Sequence, residues 1–496
     1  MRRTFGIDAY SLYVPRLYVD LTQEWCAVRA PQLGIGSPDL LRGKLVAGIG
    51  IRKMAVADGH EDAATMAAMA AKQLIDATGI DPSDIELLSV GTETTVDQSK
   101  SIAAYVLGML ERHYGKSLRH VGTPQVQFAC IGATYALESA VNHLRAGENT
   151  RPYAIVIATD ISKYRLRSPG EYTQGAGAVA MLVSESPRLL ALDPGVVGTA
   201  TRDARDFFRP NWSRTATVDG KHSIDVYLSC LEDALREHLD RAGARRGLEP
   251  GIASVRQLLA EFDSFLFHVP FPRMAEYAAA RVFRLMWEGS ESHGERMREL
   301  AAGLAPDDTR ELEKRLMKTD FFRAHFERTV APSLELPGEI GNVYSASLYL
   351  AFASMTDAAR RDGVDLTGRR VLLCSYGSGA SAKVFSGTVG PEWKRVAARH
   401  YGTELRPVSE GGRRIAISVA EYERLHEHEE VVASAEAANG AGEEIVLVGP
   451  PPSVHPPRDE FVLQRLGRLS TPELTDHGYR YYQYLSNDGA GEQEVA

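Results

Sequence analysis

Three residues of this 496-residue chain have the types needed to make a carbon–carbon bond: Cys130 in FACIGAT, Glu93 in GTETTVDQSK and His268 in FLFHVPFPRM. A thiol can carry an acyl group, a carboxylate can take a proton from carbon, and an imidazole can polarise a carbonyl. Cys130 precedes Gly132 and Ala133 at the mouth of a helical run. The helix N-terminus offers free N–H groups and a positive dipole end that favour the thiolate, and the small residues leave room for a thioester. Taken singly, each residue also has an ordinary reading. A buried structural thiol is the default for Cys130, and Cys26, Cys230 and Cys374 keep that reading. Glu93 serves equally well as partner to a helix beginning in TTVDQSK. His268, between strand-like residues and Pro270 and Pro272, reads by default as a satisfied core histidine.

What joins the three is position, since each ends a β-prone apolar run. IELLSVGT leads to Glu93, VQFA (126–129) to Cys130, and SFLF to His268. Ligand sites in α/β folds lie at such carboxyl ends. The helices between them are readable too: the Ala-rich run at 61–75, closed by Thr78-Gly79, then SKSIAAYVLGMLERHYG and GATYALESAVNHLRAG. YAIVIATD (153–160) reads as a buried strand, and GAGAVAMLVS (175–184) as a strand entered through glycines. RRVLLCSYGSGASAKVFSGTV (369–389) repeats that pattern in shortened form, and the strand ending in His268 echoes the one ending in Glu93. Two similar α/β halves with a site between them follow from this faint repeat. GAGAVA and GSGASA both fit G-x-G-x-x-A, but each leads into a strand, so neither offers a helix N-terminus to a dinucleotide. The charged stretch 274–327 reads as an amphipathic, mostly solvated helix pair. Beyond about 395 the chain turns loop-like, with AEAANGAGEE, GPPPSVHPP and a frayed SNDGAGEQEVA tail.

The bulk properties exclude several classes. With 44% hydrophobic and 24% charged residues the chain can bury a large core. A net charge of −9 argues against a nucleic-acid surface, so an anionic substrate must be met by local donors. None of the four cysteines forms a C-x-x-C pair, which argues against a zinc site or disulfide framework and for a reduced, cytoplasmic setting. The N-terminus lacks an apolar signal core, and no apolar run is long enough to span a bilayer.

GTETTVDQSK, FACIGATYAL, ATDISKYRLRSPGEYTQGAGAVAML, DFFRPNW, VDGKHSIDVYL, FHVPFPRM, GNVYSASLYLAFASM and SYGSGASAKVFSG occur in that order. Together they resemble the hydroxymethylglutaryl-CoA (HMG-CoA) synthase family from about residue 5 to 395. The resemblance implies a thiolase-like fold: two βαβαβαββ halves stacked in five αβαβα layers, usually as a homodimer. It places one half in 1–190, a second in 191–395 with the helical insertion, and an extension in 396–496. It also implies roles. Cys130 matches the nucleophile acetylated by acetyl-CoA, Glu93 the acid/base, and His268 the residue that binds the acetoacetyl ketone. Thr173, Ser223 and Asn342 match substrate-binding positions. Ser378 matches an oxyanion-hole donor acting with the Cys130 N–H. No metal or redox cofactor is required by such a reaction.

Three departures stand out. Ile131 replaces a common tyrosine, Arg273 stands where lysine is common, and Tyr277 replaces a second lysine of the eukaryotic enzymes. Such lysines are implied to meet the CoA tail, so the carrier of the acceptor is open between CoA and acyl carrier protein. Polyketide β-branching synthases, which use the latter, tend to have FHTPFGGM-like and GDPDLS-like stretches where this chain has FHVPFPRM and VDGKHSIDVY. A non-catalytic thiolase-fold scaffold is disfavoured by retention of all three chemical residues. A decarboxylating ketoacyl synthase is disfavoured by Glu93.

Overall fold

Alternation along the strands decides the layers. In a computed structural model, which describes residues 3–249, 251–397, 399–428, 431–433, 445–468 and 476–486, strand Tyr153–Ile161 points Ala154, Val156 and Ala158 to one core and Ile155 and Ile157 to another. Strand Arg370–Gly377 likewise divides Val371 and Leu373 from Leu372 and Cys374. Both strands therefore belong to sheet covered on both faces, which explains their unbroken apolar runs. The shared middle core holds helices Gly132–Ala146 and Ser347–Arg361. Outside lie Ala63–Thr78 and Ile102–Tyr114 on one face, and Gly220–Ala244 and Pro272–Trp287 on the other. Five layers result, as the thiolase-like fold requires.

The two halves share one pairing scheme. Strand Ile85–Thr92 runs parallel to Tyr153–Ile161, which turns back antiparallel into Ala176–Glu185. Strand Ser264–Phe267 runs parallel to Arg370–Gly377, which turns back into Ser381–Val389. Glu93 and His268 follow equivalent strands of the two halves. Strand Leu190–Leu192 pairs with both Phe5–Tyr13 and Ser381–Val389 and makes the sheet continuous. Both G-x-G turns open strands, and neither leads into a helix.

Two expectations need correction. The stretch at 274–327 forms four helices, Pro272–Trp287, Gly294–Ala301, Thr309–Leu316 and Asp320–Thr329, and the first is largely buried. Two of its arginines, Arg281 and Arg284, are withdrawn from solvent. Arg281 and Arg284 share Glu313 and Glu232 in a part-buried network, Arg281 reaching Glu232 at 2.9 Å and Arg284 reaching Glu313 at 3.2 Å. Pairing lets charged residues enter a core that their types alone would not predict. The region after 395 is likewise more than loop. Tyr401 and Tyr422 are buried, and Val419–Glu427 is a helix opened by a Ser418–Glu421 capping box. GPPPSVHPP is an ordered loop, its Val454 and His455 N–H groups donating to Asp58 at 2.7 and 2.9 Å. AEAANGAGEE and most of the SNDGAGEQEVA tail lie outside the described residues.

Candidate active site

Cys130 sits in a single 3-10 turn, Ala129–Ile131, between strand Gln125–Gln127 and helix Gly132–Ala146. The turn is tight enough that Ala129 adopts φ 37°, a left-handed conformation that costs a non-glycine residue energy. Two glycines make room for it. A Cβ on Gly91 would lie 2.2 Å from the Ala133 backbone, and one on Gly377 would lie 2.7 Å from the Ile131 side chain. Ile131 is itself fully buried against that strand end.

Glu93 follows strand Ile85–Thr92 and is buried, with its carboxylate 3.8 Å from the Cys130 sulfur. Its place is fixed by Asp160, a residue that sequence reasoning left unassigned. Asp160 Oδ1 accepts from the Glu93 N–H at 2.9 Å, from the Thr94 N–H at 3.0 Å and from the Thr92 and Thr94 hydroxyls at 2.9 Å each. Its Oδ2 accepts from the Ser345 N–H at 3.0 Å and hydroxyl at 2.5 Å. One buried carboxylate thus ties the Glu93 strand end to the loop before helix Ser347–Arg361. The available signal was the same as for Glu93, since Asp160 also lies at the carboxyl end of a buried strand.

These charges correct the thiolate expectation. Burial, then the Glu93 and Asp160 carboxylates, push the Cys130 thiol well above its ordinary range, against the helix-terminus effect. Burial and Asp160 also push Glu93 up to about 8, partly opposed by Arg209 and by the Cys130 thiol. The resting protein therefore holds a protonated Cys–Glu pair. A thioester carbonyl is attacked only as the thiol proton leaves.

His268 follows strand Ser264–Phe267, and its N–H donates to the Cys374 carbonyl at 2.8 Å. Its Nδ1 is bonded to Ser347 Oγ, which also accepts from the Val269 N–H at 3.3 Å. With that N–H donating to its oxygen, the Ser347 hydroxyl can donate to Nδ1, leaving Nε2 to carry the ring proton. Burial lowers the imidazole to about 3, so it stays neutral and can act as a hydrogen-bond donor to a carbonyl.

Cys130 and His268 open onto one cavity of about 550 Å³, lined also by Thr173, Ser223, Asn342 and Ser378. Each is held locally. The Thr173 carbonyl accepts the Asn342 N–H at 2.9 Å, and its turn is anchored by Glu171, bound to buried Arg29 at 2.7 Å. Asp206, a second residue not singled out from sequence, accepts the Tyr376 hydroxyl at 2.7 Å and the Gly379 N–H at 2.9 Å, on either side of Ser378. Its other neighbour is the Ser223 hydroxyl at 3.4 Å. Tyr164, Phe207 and Tyr344 form an edge-to-face aromatic wall with centroids 6.0–6.4 Å apart. Arg273 is not brought to this cavity. Its guanidinium donates to Ala47 and Gly48 carbonyls at 2.6 and 2.8 Å and pairs with Glu276, lining a separate cavity with Tyr277.

The family model described as hydroxymethylglutaryl-coenzyme A synthase N terminal matches residues 1–187, and its C-terminal counterpart matches residues 190–444. A hydroxymethylglutaryl-CoA synthase of Haloferax volcanii is 34% identical over 433 residues, covering 85% of this chain and 91% of the relative. Among solved structures, MvaS in complex with 3-hydroxy-3-methylglutaryl coenzyme A superposes with a TM-score of 0.76 at 34% identity, covering 98% of this chain and all of that one. The curacin biosynthetic pathway HMG synthase in complex with holo donor acyl carrier protein gives 0.70 at 25% identity, covering 97% of this chain and all of that one. Among the described residues, no helix is long and apolar enough to cross a membrane.

Proposed function

Because this chain belongs to the hydroxymethylglutaryl-CoA synthase family, we propose that it condenses acetyl-CoA with acetoacetyl-CoA to give 3-hydroxy-3-methylglutaryl-CoA and free CoA, working through an acetyl-Cys130 intermediate. The observation that carries the residue roles is that Cys130 and His268, one from each half, line one cavity while the buried Glu93 carboxylate stands 3.8 Å from the Cys130 sulfur. The Cys130 sulfur attacks the acetyl thioester and CoA leaves with the thiol proton. The acetyl oxygen then lies against N–H donors of the Cys130 and Ser378 turns, which acidifies the methyl group. Glu93 removes a methyl proton, and the resulting enolate carbon attacks the acetoacetyl ketone held by the His268 Nε2–H. As the bond forms, the ketone oxygen takes the proton that Glu93 removed, which restores the carboxylate, and hydrolysis of the Cys130 thioester frees the product. Holding the acetyl group covalently turns a termolecular problem into three bimolecular or simpler steps.

The carrier is read elsewhere. The cavity beside Arg273 also presents Arg310, Lys314, Lys318 and Arg323, a cluster suited to phosphates on a protein of net charge −9. Leu228 and Arg273 line it, and their neighbours Tyr227 and Met274 line the Cys130 cavity. We assign the carrier's phosphates to this cluster and favour CoA, since the relative and structure sharing 34% identity are named for CoA thioesters. Reduced thiols at all four cysteines fit a cytoplasmic enzyme, and a homodimer is the expected assembly. Supplying purified protein and acetyl-CoA with either acetoacetyl-CoA or acetoacetyl acyl carrier protein tests the reading. Product on CoA supports it, product only on the protein carrier transfers it to β-branching chemistry, and product on neither defeats it.

A further inference from the structure

Away from the Cys130 cavity, the loop entering helix Ala63–Thr78 meets the C-terminal hairpin of strands Glu460–Leu466 and Arg480–Leu485, and His60, Glu61 and Glu460 converge there. One ligand-type atom from each lies within 4.8 Å of the other two. His60 and Glu460 are buried, at 8% and 3% exposure. The His60 Nε2 is aimed at this cluster. It makes no hydrogen bond among the described residues and faces Glu460 Oε1 at 3.5 Å, the separation of an ion pair when the ring is protonated. We propose that these three side chains bind one divalent transition-metal cation, of the Zn²⁺ or Mn²⁺ class, which fastens the C-terminal hairpin to the body.

The donor set supports the cation class. One imidazole nitrogen and two carboxylates suit zinc or manganese better than magnesium or calcium, which prefer oxygen alone. The supporting contacts have the form expected around ligands. The His60 Nδ1 lies 2.9 Å from Ser453 Oγ, and donation in that direction leaves the Nε2 lone pair facing the carboxylates. Glu61 is oriented by the Tyr13 hydroxyl at 2.5 Å and the Asp58 N–H at 2.8 Å. Glu460 is oriented by the same hydroxyl at 3.1 Å and the Arg458 N–H at 3.0 Å. Glu61 also lines a cavity of about 440 Å³ with Asp58, Asp62 and Pro451, which gives an ion a path in. The backbone crosses the same joint, where the Leu463 N–H donates to the His60 carbonyl at 2.9 Å. Nothing in this joint touches the reacting cysteine, so the cation holds structure and takes no part in the chemistry.

The test is equilibrium dialysis of the chelator-treated full-length protein against Zn²⁺ and, separately, Mn²⁺, with bound metal counted by mass spectrometry. Cys130→Ser is run alongside, because a free thiol is itself a zinc ligand. One equivalent bound by wild type and by Cys130→Ser is expected. His60→Gln and Glu460→Gln should each weaken it by more than the about 10–100-fold that losing a supporting hydrogen bond costs. The thermal midpoint should rise with metal in wild type and stay put in His60→Gln. If the variants fail to fold, the stoichiometry in wild type and Cys130→Ser still decides. No stoichiometric binding in either, or binding undiminished in a folded His60→Gln, overturns the site. Condensing activity is not the readout, so this result stands apart from the functional reading.

Discussion

A carboxyl held at about 8 beside a thiol held still higher predicts a particular pH response. Glu93 must be ionised to take a methyl proton, so its active fraction grows as pH rises through about 8 and falls below it. A rate profile for condensation should therefore climb on the alkaline side of neutrality. Acetylation removes the Cys130 S–H that partly holds Glu93 down, so the limb should lie at or above that value. A profile flat from pH 6.5 to 9 contradicts the assignment. Asp160→Asn tests the positioning residue. The amide would place a donor among six donors, displacing Glu93 and lowering turnover by about 100-fold. Removing the Asp160 charge should also move the limb to lower pH, which a purely structural defect would not do. His268→Ala should weaken acceptor binding while leaving Cys130 acetylation intact. At this scale the sequence carried much of the site. Cys130, Glu93 and His268 were legible because strand ends in α/β folds collect ligands and because their flanking motifs resembled a family. Asp160 and Asp206 were harder to read, since what they do depends on hydrogen bonds to residues distant in the chain.

Among the elements, the helices that carry cations divide into those that pack and those that can bind. Arg273 spends its guanidinium on the Ala47 and Gly48 carbonyls, so Arg273→Ala should lower stability and leave the KM for acetoacetyl-CoA nearly unchanged. Arg310→Ala combined with Lys314→Ala should raise that KM, with kcat little altered, by about 1–3 kcal/mol of lost uniform binding. Steady-state kinetics on both variants separates the roles, and a normal KM in the double variant removes the cluster from carrier recognition. Gly91→Ala tests the turn that seats Cys130. Its methyl would stand 2.2 Å from the Ala133 backbone, which cannot retreat without moving helix Gly132–Ala146. The expected loss is about 1–3 kcal/mol or more in urea unfolding, with acetylation reduced in what remains folded. The helix pattern at 274–327 misled because period and charge describe a face, whereas paired arginines can lie beneath it.

For the molecule as a whole, the pseudo-twofold pairing was visible in two strand–G-x-G–strand repeats, and the five layers follow from unbroken apolar strands that need cover on both sides. The dependence of the body on its C-terminal region was invisible, because composition there is loop-like. Arg29 makes the case: fully buried, it holds Glu171 at 2.7 Å and Glu423 at 2.8 Å, and so ties the Thr173 turn to helix Val419–Glu427. Arg29→Ala would leave Glu171 buried without its partner, and about 3–5 kcal/mol should be lost in chemical denaturation. A loss below about 1 kcal/mol would mean that the extension is not coupled to the body in this way. The account's central claim is that Cys130 carries the acetyl group and Glu93 then moves its proton. Its most direct test is the mass of the Cys130 peptide after incubation with acetyl-CoA and a non-reacting acceptor analogue in deuterated solvent. Wild type should show an acetyl group on Cys130 that has gained deuterium, and Glu93→Ala an acetyl group on the same residue without it. Acetyl on Cys26, Cys230 or Cys374, or deuterium gained as fast without the Glu93 carboxylate, would contradict the account.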